Sequence, residues 1–68
     1  MNNLIESILE HDELEAIRLA DLEQLNHDEG AIKMKISRAT FGRILEKARF
    51  KTADAIINGK AIKIEFNN

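Results

Sequence analysis

The residues from Asn26 to Leu45 read NHDEGAIKMKISRATFGRIL, and two cap signals inside this stretch set the frame for the whole chain. Asn26 stands three positions before Glu29. At that spacing a side-chain oxygen accepts from a first-turn amide while the carboxylate reaches back to the capping residue's own N–H. A helix is expected over residues 27–34. Ser37 is placed to cap a second helix, and between the caps Ala31, Met34 and Ile36 supply the small and apolar positions that two packed helices bury. Ala31 falls where the helices approach most closely. Phe41, Ile44, Leu45 and Ala48 then recur on one helical face, with Ala39, Arg43 and Glu46 on the opposite face and Arg38 at its flank. A short capped helix, a tight turn and a second capped helix with outward arginines is the order of a helix-turn-helix unit. Such a unit offers its second helix to the major groove of double-stranded DNA.

On the N-terminal side, Asp12 with Glu15 three residues later opens a helix over 12–23. It buries Leu14, Ile17 and Ala20 with help from Ala16 and Leu19, and its first-turn acids suit the helix dipole. On the C-terminal side the helix that begins at Arg38 runs to Asn58, about 30 Å at 1.5 Å per residue, where Asn58-Gly59 supplies a stop. Ala61 to Phe66 alternates Ile62, Ile64 and Phe66 with Lys63 and Glu65, a half-buried strand pattern over 61–66. Leu4, Ile5, Ile8 and Leu9 are too few for periodicity to separate a helical turn from an extended strand.

That ambiguous segment is the one intrachain partner available to the C-terminal strand. A lone strand leaves its backbone groups unpaired, so a second copy is the simpler expected partner, through its own strand or its N-terminal segment. Phe50, Ile62, Ile64 and Phe66 are the expected dimer-interface residues, Phe50 because it lies opposite Phe41. The expected fold is all-α: one three-helix helix-turn-helix domain over residues 1–68, with a C-terminal β-strand paired across a dimer.

Charge is divided along the chain. Residues 1–30 carry one basic residue, Arg18, against nine acids, a net of −8, while residues 31–68 carry nine basic residues against three acids, a net of +6. The positive half coincides with the proposed reading helix, as phosphate binding with counterion release requires. Solvated helix faces are the bland alternative for mixed charge.

At 68 residues the chain makes one domain, which buries only about 60% of its unfolded surface and gains from oligomerisation. It has no Cys, hence no disulfide framework or thiolate metal site, and no apolar run of membrane-spanning or secretory length. A cytoplasmic location is the default expectation. Pro is absent and Phe41, Phe50 and Phe66 are the only aromatics, so neither a proline-rich linker nor a stacking platform for single strands is supported. His11 and His27 lack paired zinc-ligand spacing, no glycine loop cradles phosphate, and carboxylates such as Glu13 and Glu15 read as solvated helix charge. No enzyme, metal or cofactor is expected.

The runs DELEAIRLADLEQL (Asp12 to Leu25), SRATFGRILEKAR (Ser37 to Arg49) and ADAIINGKAIKIE (Ala53 to Glu65) make the chain similar to a small prokaryotic family of predicted DNA-binding proteins. That family carries the domain of unknown function numbered one hundred thirty-four, and its helix-turn-helix resembles region 4 of bacterial sigma factors. The likeness covers the chain from about Leu9 to Glu65. It departs from the family pattern at Lys35, where Gly is usual and a left-handed backbone costs roughly 1 kcal/mol. Ala39 stands in place of Pro and Phe50 in place of Arg, and MNNLIESILEH replaces a basic, cysteine-containing arm.

In a DNA complex, Arg38 and Arg43 are the candidates for guanine edges, with Ser37 and Thr40 near the phosphate entry. Ala39 is placed to touch a thymine methyl and Glu46 to accept from cytosine. Lys33, Lys35, Lys47, Arg49 and Lys51 are candidate phosphate partners. Gly30 is expected to soften the second helix, at up to about 1 kcal/mol relative to Ala, and Ile32 to be exposed. Two function classes follow: a sequence-specific, dimeric DNA-binding regulator, and a protein-interaction module that keeps the scaffold and works through its acidic first helix and apolar strand.

Overall fold

A computed structural model describes residues 5–65, and the expectations for Leu4 and Phe66 lie outside the described residues. Strand β1, Glu6–Glu10, leads directly into helix α1, His11–Ile17, which continues as a widened π-type turn over Arg18–Leu22. Helix α2, His27–Met34, and the long helix α3, Arg38–Asn58, follow, and strand β2, Ala61–Glu65, ends the described chain.

The caps around α2 and α3 form as their residues dictate. Asn26 Oδ1 accepts the Glu29 N–H at 2.8 Å, and the Asn26 N–H donates to Glu29 Oε1 at 2.9 Å. Ser37 Oγ accepts the Thr40 N–H at 3.1 Å. Between them Lys35 takes a left-handed conformation, φ 60° and ψ 44°. The Ile36 N–H then returns to the Ala31 carbonyl at 3.0 Å and the Lys35 N–H to that of Ile32 at 3.1 Å. These two returning bonds satisfy carbonyls that α2 leaves open and turn the chain within three residues. Lys35 thus adopts the conformation for which Gly is the cheaper residue.

The first helix begins earlier than Asp12 and Glu15 suggest. Glu10 is the capping residue, and its N–H donates to Glu13 Oε1 at 3.0 Å. Glu13 is therefore turned inward and is buried. This shifts the core stripe: Ala16 and Leu19 are fully covered, while Leu14, Ile17 and Ala20, expected to be the main buried residues, are only half-buried. The π-type turn closes with the Glu23 N–H on the Arg18 carbonyl at 2.9 Å and the Leu25 N–H on that of Leu19 at 3.0 Å, with Gln24 at φ 60°.

Ala16, Leu19, Ala31, Phe41 and Leu45 form the core where α1, α2 and α3 meet. Phe41 is fully buried, and Ala31 is buried with it in the same cluster. Gly30 has a packing reason to lack a side chain, since a Cβ there would stand 2.3 Å from Phe41 Cζ.

The pairing of β2 corrects the expectation of a partner chain. β2 lies parallel to β1 of the same chain, with Glu6 opposite Ala61, Leu9 opposite Ile64 and Glu10 opposite Glu65. The three helices between the strands are the long crossover that a parallel pair requires. The fold is mostly helical with a two-stranded parallel sheet. Leu9 is buried against the helices, whereas Ile62 and Ile64 of β2 are 45% and 40% exposed.

Candidate nucleic-acid interface

The side chains proposed to read DNA sit at the Ser37 cap and on the first turns of α3, whereas Lys33 of α2 lies beside His11, Asp12 and Glu15 of α1. Ser37, Arg38, Ala39, Arg43, Glu46 and Lys47 are exposed, and Thr40 is half-buried. Ser37, Thr40 and Arg43 form a chain of contacts along one side of α3. Ser37 Oγ donates to Thr40 Oγ1 at 2.9 Å, and Arg43 Nη2 donates to the same oxygen at 3.4 Å. Thr40 therefore links the cap to an arginine one turn later. Arg38 leans back toward α2, its Nε 3.6 Å from Asp28 Oδ1, with both side chains about two-thirds exposed. An exposed pair of that length is weak and competes poorly with a phosphate.

The candidate phosphate partners divide into two groups. Lys33, Lys35 and Lys47 are exposed. Arg49 is also exposed but is forked onto Asp21, Nη2 to Oδ1 at 2.5 Å and Nε to Oδ2 at 3.2 Å, and this pairing holds the Asp21 carboxyl below its ordinary value. Lys51 is placed differently from the others. Its ammonium donates to Glu13 Oε1 and to the Ile8 carbonyl, each at 2.8 Å, and only a quarter of its side chain is exposed. It joins helix to strand instead of facing solvent.

Glu13 is correspondingly not the solvated charge its sequence neighbourhood suggests. Burial pushes its carboxyl up, but the Lys51 ammonium, the Glu10 amide and the more distant Lys47 charge outweigh burial and leave it below the usual carboxylate range. No local signal marks Glu13 as buried, because its partner lies thirty-eight positions away.

His27 is half-buried, its ring edge-on to Phe41 at 5.7 Å between centroids, so it packs against the core. Among the described residues no group of His, Cys, Asp and Glu is arranged to hold a metal ion, and no helix is long and apolar enough to cross a membrane.

Beyond its first turns α3 carries Phe50, exposed at 70%, beside a shallow open groove lined by Arg43, Ile44, Glu46 and Lys47. The proposed reading residues and this apolar residue thus lie on one continuous helix.

No solved structure matches the chain. It is 57% identical over all 68 of its residues to a UPF0251 protein of Thermoanaerobacter sp. (strain X514), of which it covers 60%. Over 58 residues, 85% of the chain, it is 59% identical to a UPF0251 protein of Chlorobaculum tepidum, of which it covers 38%. To a UPF0251 protein of Pelotomaculum thermopropionicum it is 54% identical over its whole length, covering 52% of that protein. The chain therefore spans about half the length of these relatives. The family described as Protein of unknown function DUF134 matches residues 2–67, and the chain belongs to that family.

Proposed function

We propose that this protein binds double-stranded DNA with sequence specificity, as a transcriptional regulator, with α2 and α3 acting as a helix-turn-helix similar to sigma factor region 4. The observation that carries this reading is the Ser37-capped start of α3, from which Arg38 and Arg43 project into solvent on a helix rigidly packed through Phe41 and Leu45. A guanidinium so held bonds guanine O6 and N7 together in the major groove. Ala39 and Glu46 add a small apolar contact and an acceptor to the same surface. Lys33, Lys35 and Lys47 supply phosphate contacts, and Arg49 joins them if a phosphate displaces Asp21. Lys51 is left out of this set because its ammonium is committed to Glu13.

A second reading, a protein-interaction module on the same scaffold, is favoured by the exposure of Phe50 and by the acidic first half of the chain. Salt-titrated selection from random duplexes separates the two. An enriched site that is lost in R38A/R43A supports DNA reading. No retention of any duplex at low salt overturns it. Within an enriched complex, K47A is expected to weaken binding to all sequences and to reduce the salt slope by about 1, whereas R43A relaxes preference at one position.

A further inference from the structure

The second half of α3 is apolar on the side turned away from the core. Phe50, Ile56 and Ile57 are 70%, 71% and 79% exposed, and Ala53 between them is exposed as well. Phe50, Ala53 and Ile57 recur at intervals of three and four residues, the spacing of a seam along which two helices pack, and Ile56 flanks it. Scattered exposed aliphatics are ordinary, but a contiguous apolar stripe on successive turns of one helix marks an association surface.

We infer that the chain pairs with a second copy of itself through antiparallel packing of the C-terminal halves of α3, crossing near Ala53. The stripe is self-complementary. Ala53 lies midway between Phe50 and Ile57, so a two-fold axis beside it sets each Phe50 ring against Ile56 and Ile57 of the second copy, and its small side chain lets the helix axes approach. Two of the charged groups beside the second half of the stripe are already compensated within the chain. Asp54 accepts from Lys60 at 2.5 Å and from Asn58 at 2.6 Å, and Arg49 is forked onto Asp21, so these groups bring no net charge to the contact of two like surfaces.

A stable dimer buries about 800 Å² per partner, roughly a sixth of the 5008 Å² surface of this chain. Phe50, Ala53, Ile56 and Ile57, all exposed, form the apolar centre of such a contact. The contact leaves the first half of α3 uncovered, since the helix ends at Asn58, only five residues past the crossing. The pairing does not depend on the DNA reading. If both hold, the two Arg43 residues stand about 30 Å apart along the shared helix direction, close to the ~34 Å between successive major grooves.

Sedimentation equilibrium of the 68-residue chain at tens of micromolar is expected to give twice its 7.7 kDa mass. F50E/I57E is expected to halve that mass with an unchanged far-ultraviolet circular dichroism spectrum. A53C, which places the only thiol at the crossing, is expected to cross-link two copies on mild oxidation, whereas I32C on α2 does not. A 7.7 kDa species throughout the range overturns the inference. So does a dimer that survives F50E/I57E and is dispersed by I62E/I64E on the strand. If F50E/I57E fails to fold, A53C decides, and an absent cross-link overturns the inference. None of these readouts involves DNA, so failure here leaves the selection experiment intact.

Discussion

Lys51 Nζ lies 2.8 Å from Glu13 Oε1, and the same ammonium donates to the Ile8 carbonyl at 2.8 Å. One side chain on α3 therefore fastens both α1 and β1, and Ser7 Oγ adds a longer bond to the Lys51 carbonyl at 3.4 Å. The Glu13 carboxylate is almost wholly covered, and its remaining partner is the Glu10 amide at 3.0 Å. The long helix is oriented against the strand by this junction as well as by the apolar core.

K51M leaves Glu13 covered and without its cation. The expected loss is about 2–3 kcal/mol, at or below the lower bound of about 3 for breaking a fully buried ion pair, because Lys51 is partly exposed. E13Q/K51M, in which no charge is buried, is expected to regain part of the loss. Urea unfolding of the two variants checks the order, and a double variant no more stable than K51M contradicts it.

Acid is expected to destabilise the fold. Glu13 is held low by Lys51 against the upward push of burial, Asp21 by its fork with Arg49, and Asp54 by Lys60 and Asn58. A carboxyl depressed in the folded state protonates more readily when unfolded. Its contribution is fully present above the ordinary values near 4 and is lost as pH falls through the folded-state value. Melting temperature should be flat near neutrality and fall below about pH 4, with a shallower fall in E13Q. A melting temperature that rises on acidification contradicts the assignment.

Gly30→Ala is expected to destabilise by about 1–2 kcal/mol, although the same change in an open helix is stabilising. The new Cβ would meet three atoms of the Phe41 ring at 2.3, 2.6 and 2.9 Å, and that ring is fully enclosed. Gly42→Ala is the control. Its Cβ would meet only the His27 ring, at 3.8 Å, so a gain of up to about 1 kcal/mol is expected. Chemical denaturation of both variants checks the opposite signs.

Lys35→Gly removes a Cβ from a backbone at φ 60°. The relief exceeds the extra chain entropy of glycine, and a net gain of about 0.5–1 kcal/mol is expected, a rise of roughly 3–6 °C in Tm. Gln24→Gly, also at φ 60°, should move in the same direction. A fall in Tm for both would show that the side chains at these turns contribute more than their strain costs.

The parts of the fold legible in the sequence are those set by neighbours a few residues apart. Asn26 with Glu29, Ser37 with Thr40, and Gly59 after Asn58 end or begin helices where their chemistry says, and the Phe41, Leu45, Ala48 face is buried as its spacing requires. The start of α1 departs from the Asp12 expectation for a physical reason. Glu10 with Glu13 and Asp12 with Glu15 offer the same cap spacing, and a lysine thirty-eight residues after Glu13 selects the first. β1 is too short to declare itself, and its partner is at the far side of three helices. In the candidate interface, exposure of Arg38, Arg43, Ala39 and Glu46 was legible from helical spacing. The withdrawal of Lys51 from that surface was not, because it depends on where β1 lies.

The parallel register has a consequence for the order in which the molecule assembles. Glu6 must find Ala61, fifty-five positions later, and closing a loop of that length costs roughly 3–4 kcal/mol in chain entropy before any strand bond forms. The helices are therefore expected to assemble first and to hold the waiting strand through Leu9 and Lys51, so that the sheet is the last joint to close and the first to open.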